Sequence, residues 1–136
     1  MNHIETLKRV TPKGIHSHLG AVRRWIRTLS ARTRSQKQRL LDDPALEAKE
    51  RELLELVETR ISPGDGMYTG DGAHYYRVGL SAIRSIDEAL TAAQLGSASR
   101  ILDLPCGHGR VLRFLVRRFP QAEITASDLD RKGVDF

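Results

Sequence analysis

The chain has 136 residues, enough for about one small domain, and carries 22 Lys+Arg against 17 Asp+Glu for a formal net charge of +5. With 40% hydrophobic and 29% charged residues it has the composition of a soluble protein rather than a disordered one. A single cysteine, Cys106, excludes an internal disulfide and a cysteine-cluster zinc site. No run of about 18 apolar residues is present and Met1–Val10 lacks the apolar core of a secretory signal, so the expectation is a cytoplasmic protein.

The charge is segregated. Residues 1–41 hold ten bases and one acid, residues 42–60 seven acids and three bases, and residues 61–136 nine of each. Ile15, Leu19, Val22, Ile26 and Leu29 recur at helical spacing and predict a helix over 15–41. Arg23, Arg24, Arg27, Arg32, Arg34, Lys37 and Arg39 lie largely off that stripe, a basic face able to meet phosphate in nucleic acid or at an anionic surface, or simply to face solvent. A second helix is predicted from Pro44 to about Arg60, with Asp43 as N-cap, Pro44 in the first helical position, and Leu46, Leu53, Leu54 and Val57 as its apolar side. Glu47 and Arg51 are spaced to pair. The first two helices would then form an antiparallel pair joined at Asp42-Asp43. Residues 1–60 thus make a helical region.

Residues 61–73 form a glycine-rich loop with two Gly-Asp-Gly triplets. Asp65 and Asp71 are too few carboxylates for a calcium loop, and no Gly-Lys-Ser/Thr follows, so neither a metal nor a nucleoside triphosphate is expected there. Tyr68 in this loop could lie over a ligand, or the loop could be a plain connector. A third helix is predicted over 74–95, with Tyr76, Leu80, Ile83, Leu90 and Ala93 at helical spacing and Gly96 in the C′ position.

Residues 100–104 form a short apolar run containing Asp103, followed by Pro-Cys-Gly-His-Gly. A helix follows, with Val111, Leu112, Leu115, Val116 and Phe119 on one side and Arg110, Arg113 and Arg117 on the other. Residues 123–127 predict a second strand ending at Asp128. Strand, glycine turn, helix and strand make a βαβ unit with parallel pairing. Ligands of open α/β sheets bind beyond the carboxyl ends of the strands. Gly107 and Gly109 admit positive φ and close backbone approach there. Asp128, 19 residues after Gly109, stands where an acid reaches ribose hydroxyls. Leu112 stands where a dinucleotide fingerprint needs a third glycine, and the Asp103 carboxylate suits an amine better than a pyrophosphate, which disfavours a dinucleotide-dependent oxidoreductase.

Ile-Leu-Asp-Leu-Pro-Cys-Gly-His-Gly-Arg resembles the first motif of class I S-adenosylmethionine-dependent methyltransferases, and Ile-Thr-Ala-Ser-Asp-Leu-Asp resembles their second-strand motif. The resemblance covers residues 99–136. It implies an α/β fold in which N-terminal helices precede the first βαβ of a Rossmann-like methyltransferase sheet, with residues 74–136 beginning the S-adenosylmethionine-binding domain. It places Asp103, Gly107 and Gly109 around the methionine part of the cofactor, Asp128 at the ribose and Leu129 in the adenine pocket. Cys106 and His108 are cofactor-adjacent, and no catalytic residue is assigned. Pro105 departs from the pattern, standing where the family's first glycine usually does. Phe136 falls just after the second strand of what in the family is a seven-stranded sheet. The expectation is therefore the N-terminal piece of a longer protein, inactive alone, with an unknown methyl acceptor. The alternative is a non-catalytic binding module whose basic arm contacts nucleic acid, an anionic surface or a partner chain.

Overall fold

The computed structural model describes residues 31–136. The predicted apolar stripe from Ile15 to Leu29, and Arg23, Arg24 and Arg27, lie outside these residues. The order of elements is helix α1 (helical over 31–41), α2 (Ala48–Leu56), α3 (Gly72–Ala92), strand β1 (Arg100–Asp103), α4 (Leu112–Arg118), strand β2 (Glu123–Ala126) and the single turn α5 (Arg131–Val134). The chain is mixed α/β, and its two strands pair in parallel with Arg100 opposite Glu123 and Asp103 opposite Ala126. No helix among the described residues is long and apolar enough to cross a membrane.

α1 packs through Thr33, Gln36, Lys37 and Leu40, spaced three, one and three, so its buried stripe is largely polar. The three polar members are each committed to backbone. Thr33 Oγ1 donates to Thr59 O at 2.8 Å, Gln36 Nε2 to Gly70 O at 2.9 Å, and Lys37 Nζ to both Glu55 O and Val57 O at 2.9 Å. These bonds run the end of α1 antiparallel to α2, as the sequence predicts. They also correct the assignment of Lys37 to the outward basic face. Its ammonium instead satisfies carbonyls at the C-terminal end of α2, where a helix leaves acceptors unpaired. Arg32, Arg34 and Arg39 are exposed.

α2 starts four residues later than Pro44. Asp43 forms a turn of its own, its Oδ1 accepting from Ala45 N at 2.9 Å, and its other oxygen pairs with Arg77 of α3. Glu47 is the N-cap, and Glu50 reaches back to accept from its N–H at 3.3 Å. Arg51 does not pair with Glu47. It donates to Asp43 O at 3.0 Å and Leu46 O at 3.3 Å. The helix ends at Leu56 with Val57 as C-cap, its N–H donating to Leu54 O at 3.1 Å, and residues 58–62 run on outside the helix.

α3 is capped by Asp71, whose side chain accepts from His74 N. Its end is a Schellman turn. Leu95 N donates to Leu90 O at 2.8 Å and Gln94 N to Thr91 O at 3.0 Å. The left-handed C′ position is filled by Gln94 at φ 57°, not by Gly96. Tyr75, Tyr76, Leu80 and Ile83 from α3 meet Leu54 from α2, Phe114 and Leu115 from α4, and Phe119 at the C-cap of α4 in one core. The buried side of α4 therefore includes Phe114, while Val116, expected inside, is exposed. Gly79 explains the close approach of α3 to α4, since a Cβ there would fall 2.1 Å from Phe114 Cε2. The sheet turns Ile101 and Ile124 toward this core and exposes Leu102 and Leu104 on its other face.

Candidate functional site at the carboxyl ends of the parallel strands

The strand pairing continues past the ends of β1 and β2. Ser127 N donates to Asp103 O at 3.0 Å and Cys106 N to Ser127 O at 2.9 Å. The chain then reverses through residues 107–111, with Gly109 N donating to Cys106 O at 3.0 Å. Gly107 and Gly109 both take the left-handed conformation, at φ 52° and 75°, which a side chain would strain. The peptide bond before Pro105 is cis.

Asp128, just beyond β2, holds this turn against the sheet. Its Oδ2 accepts from Gly107 N at 2.7 Å and its Oδ1 from Asp130 N at 2.8 Å. Hydrogen bonds from the amides of Asp130 and Gly107 keep its carboxyl below the usual range. Each oxygen retains a second lone pair for a further donor. Asp103 is opposite in character. Burial raises its carboxyl above the ordinary value, and its Oδ2 is buried with no hydrogen-bond partner among the described residues. A buried carboxylate oxygen without a donor is uncommon in native proteins.

Cys106 is buried beside these two carboxylates. Burial, together with the charges of Asp103 and Asp128, pushes its thiol up, which leaves it protonated and non-nucleophilic. His108 is packed inward, its side chain 8% exposed and its Nε2 4.0 Å from Asp130. The glycine-rich loop touches the turn here, because a Cβ on Gly64 would lie 3.4 Å from His108 Nε2. The structure thus brings Asp103, Cys106, Gly107, His108, Gly109 and Asp128 to one end of the sheet. Leu129 follows Asp128 fully exposed. Tyr68 faces the helices, its hydroxyl 3.1 Å from Gln36 Oε1 and its ring edge-on to Tyr75. No group of His, Cys, Asp and Glu among the described residues is arranged to hold a metal.

Two residues important to the site have no signal in the sequence. Gly133 of α5 lets that turn press against the glycine turn, where a Cβ would meet Gly107 O at 2.5 Å. Arg113 was expected on the outer side of α4, yet it is buried behind the turn. It bonds the carbonyls of Gly109 at 3.0 Å and His108 at 3.4 Å. A separate groove of about 750 Å³ lies between α2, α3 and the end of α4, bordered by Leu53, Leu56, Thr91 and Arg117. It is at the far end of α4 from the glycine turn.

No protein-family model, no curated protein and no solved structure matches the chain.

Proposed function

We propose that the chain binds S-adenosylmethionine at the carboxyl ends of β1 and β2 and forms part of a Rossmann-like class I methyltransferase domain acting on an unidentified acceptor. The observation that carries this reading is the buried, unpartnered Oδ2 of Asp103, one strand away from Asp128 and next to a turn with two left-handed glycines. The chemistry of these groups fits the cofactor. Asp103 offers a carboxylate to its ammonium group, and Asp128 has lone pairs free for ribose hydroxyls. Gly107 leaves open space where a side chain would stand, with nothing within 4 Å of a Cβ built there. When bound, the cofactor supplies an electrophilic sulfonium methyl. The residues named here bind and orient it. Burial keeps the Cys106 thiol from competing as a nucleophile for that methyl.

The test is thermal unfolding of the full chain with and without S-adenosylhomocysteine. At 100 times the dissociation constant a ligand adds about 2.7 kcal/mol, which moves the midpoint of a chain of this size by about 10 °C. NADH serves as the dinucleotide control and should leave the midpoint in place. A cooperative transition that stays fixed at millimolar S-adenosylhomocysteine refutes the reading.

A further inference from the structure

Arg113 has five N–H donors, and the structure gives each one an acceptor. Nε donates to Gly109 O at 3.0 Å, Nη1 to Glu58 O at 3.1 Å and Arg60 O at 2.6 Å, and Nη2 to His108 O and the Tyr75 hydroxyl at 3.4 Å. Four of the five acceptors are backbone carbonyls. Two belong to the glycine turn and two to the segment between α2 and the glycine-rich loop. The fifth, Tyr75, passes its own proton toward Asp65 Oδ2 at 2.6 Å, and Asp65 in turn accepts from Met67 N within the loop. The guanidinium also lies 5.2 Å from the Tyr75 ring centre.

This arrangement orients the turn. The carbonyls of His108 and Gly109 both point at Arg113. In a trans peptide the N–H lies opposite the carbonyl, so the Arg110 N–H is directed away from Arg113, and it makes no hydrogen bond to the described residues. We propose that Arg113 is the positioning residue of the glycine turn. It fixes the two carbonyls inward and the following amide outward, and through Tyr75 and Asp65 it fastens the turn to the glycine-rich loop. For cofactor binding this role rests on the methyltransferase reading. The positioning of the turn does not.

The conservative replacement is the informative one. Lysine keeps the charge but has three donors on one atom, so Arg113→Lys loses at least two of the five side-chain bonds, although Gly109 O still accepts from the backbone N–H of residue 113 at 3.2 Å. Amide hydrogen exchange at Gly107 and Gly109, whose N–H groups bond Asp128 and Cys106, reads the turn directly. Calorimetric titration with S-adenosylhomocysteine reads the site. Leu40→Ala, a buried position on α1 away from the turn, supplies a variant of lowered stability for comparison. R113K is expected to lose protection at both glycines and to weaken S-adenosylhomocysteine by at least about tenfold, while L40A keeps both once exchange is referred to global stability. Equal behaviour of R113K and L40A overturns the proposal. Lost protection at the glycines in R113K, with no titration signal in the unmutated chain, supports the positioning role and sinks the methyltransferase reading instead. If R113K does not fold, Tyr75→Phe removes the only side-chain acceptor of Arg113 among the described residues. A severalfold loss of protection at Gly109 then supports the proposal, and an unchanged rate overturns it.

Discussion

Gly79→Ala sets two effects of known size against each other. In the interior of an exposed helix this change stabilises by about 1 kcal/mol, because alanine loses less backbone freedom on folding. Here the new methyl would lie 2.1 Å from Phe114 Cε2 and 2.4 Å from Cδ2, well inside contact distance. The Phe114 ring is fully buried among α2, α3 and α4 and has no open side to move toward. Overpacking of this kind costs about 1–3 kcal/mol, and with both clashing atoms in a buried ring the upper end applies. The net expectation is a loss of about 2 kcal/mol, a drop of about 1 M in the urea midpoint at an ordinary slope for a small domain. Phe114→Leu should also destabilise alone. In the G79A background it should restore part of the loss, giving a coupling of about 1–2 kcal/mol between two residues in contact. Urea unfolding of the four species measures this. A higher midpoint for G79A, or strict additivity in the double mutant, would refute the described packing of α3 on α4.

Asp103→Asn separates stability from binding. Burial raises the Asp103 carboxyl above 3.8, so the folded chain holds that proton more tightly than the unfolded one. The unmutated protein therefore gains stability from this group as pH falls from the raised folded value toward 3.8, and lacks that gain at neutral pH. D103N should match or exceed it in urea midpoint at pH 7, converge with it in acid, and lose the S-adenosylhomocysteine shift. A destabilised D103N at pH 7 would contradict the reading of an unpaired carboxylate. Lys37→Met keeps the stem of the side chain but leaves the carbonyls of Glu55 and Val57 without their donor. The expected loss is about 2 kcal/mol. A loss no larger than that of Arg34→Met, an exposed neighbour on the same helix, would return Lys37 to the solvent face.

What the sequence made legible was local. The glycine turn, the acids at the strand ends and the helix between the strands follow from residue types at short spacing, and the strand pairing and the two positive φ angles agree with them. The errors share a cause. Lys37 and Arg113 look like members of solvated faces because helical periodicity records only neighbours on the same helix. Their distant acceptors include backbone carbonyls 18–20 residues away for Lys37 and 53–55 for Arg113. A carbonyl carries no sequence signal. The start of α2 was missed because Asp43 is a good cap by type, but it is engaged in its own turn and by Arg77. Glycine is the residue type that favours the left-handed C′ position, which points to Gly96 for the end of α3. The hydrogen bonds of the Schellman turn hold Gln94 at a positive φ regardless. Gly79 and Gly133 were unremarkable because close approach of a second element is visible only once that element is in place.

The span of the Arg113 bonds has a kinetic meaning. The turn at residues 107–111 closes on itself over a few residues, and α1 meets α2 across about 18–26. The bonds from Arg113 to Glu58 and Arg60 close a stretch of more than 50 residues, and closure grows less favourable with the length of chain to be gathered. The guanidinium reaches these two acceptors only when the segment after α2 and the α4 segment have been brought together. The carboxyl end of the sheet is thus tied to the helical layer by contacts between distant parts of the chain.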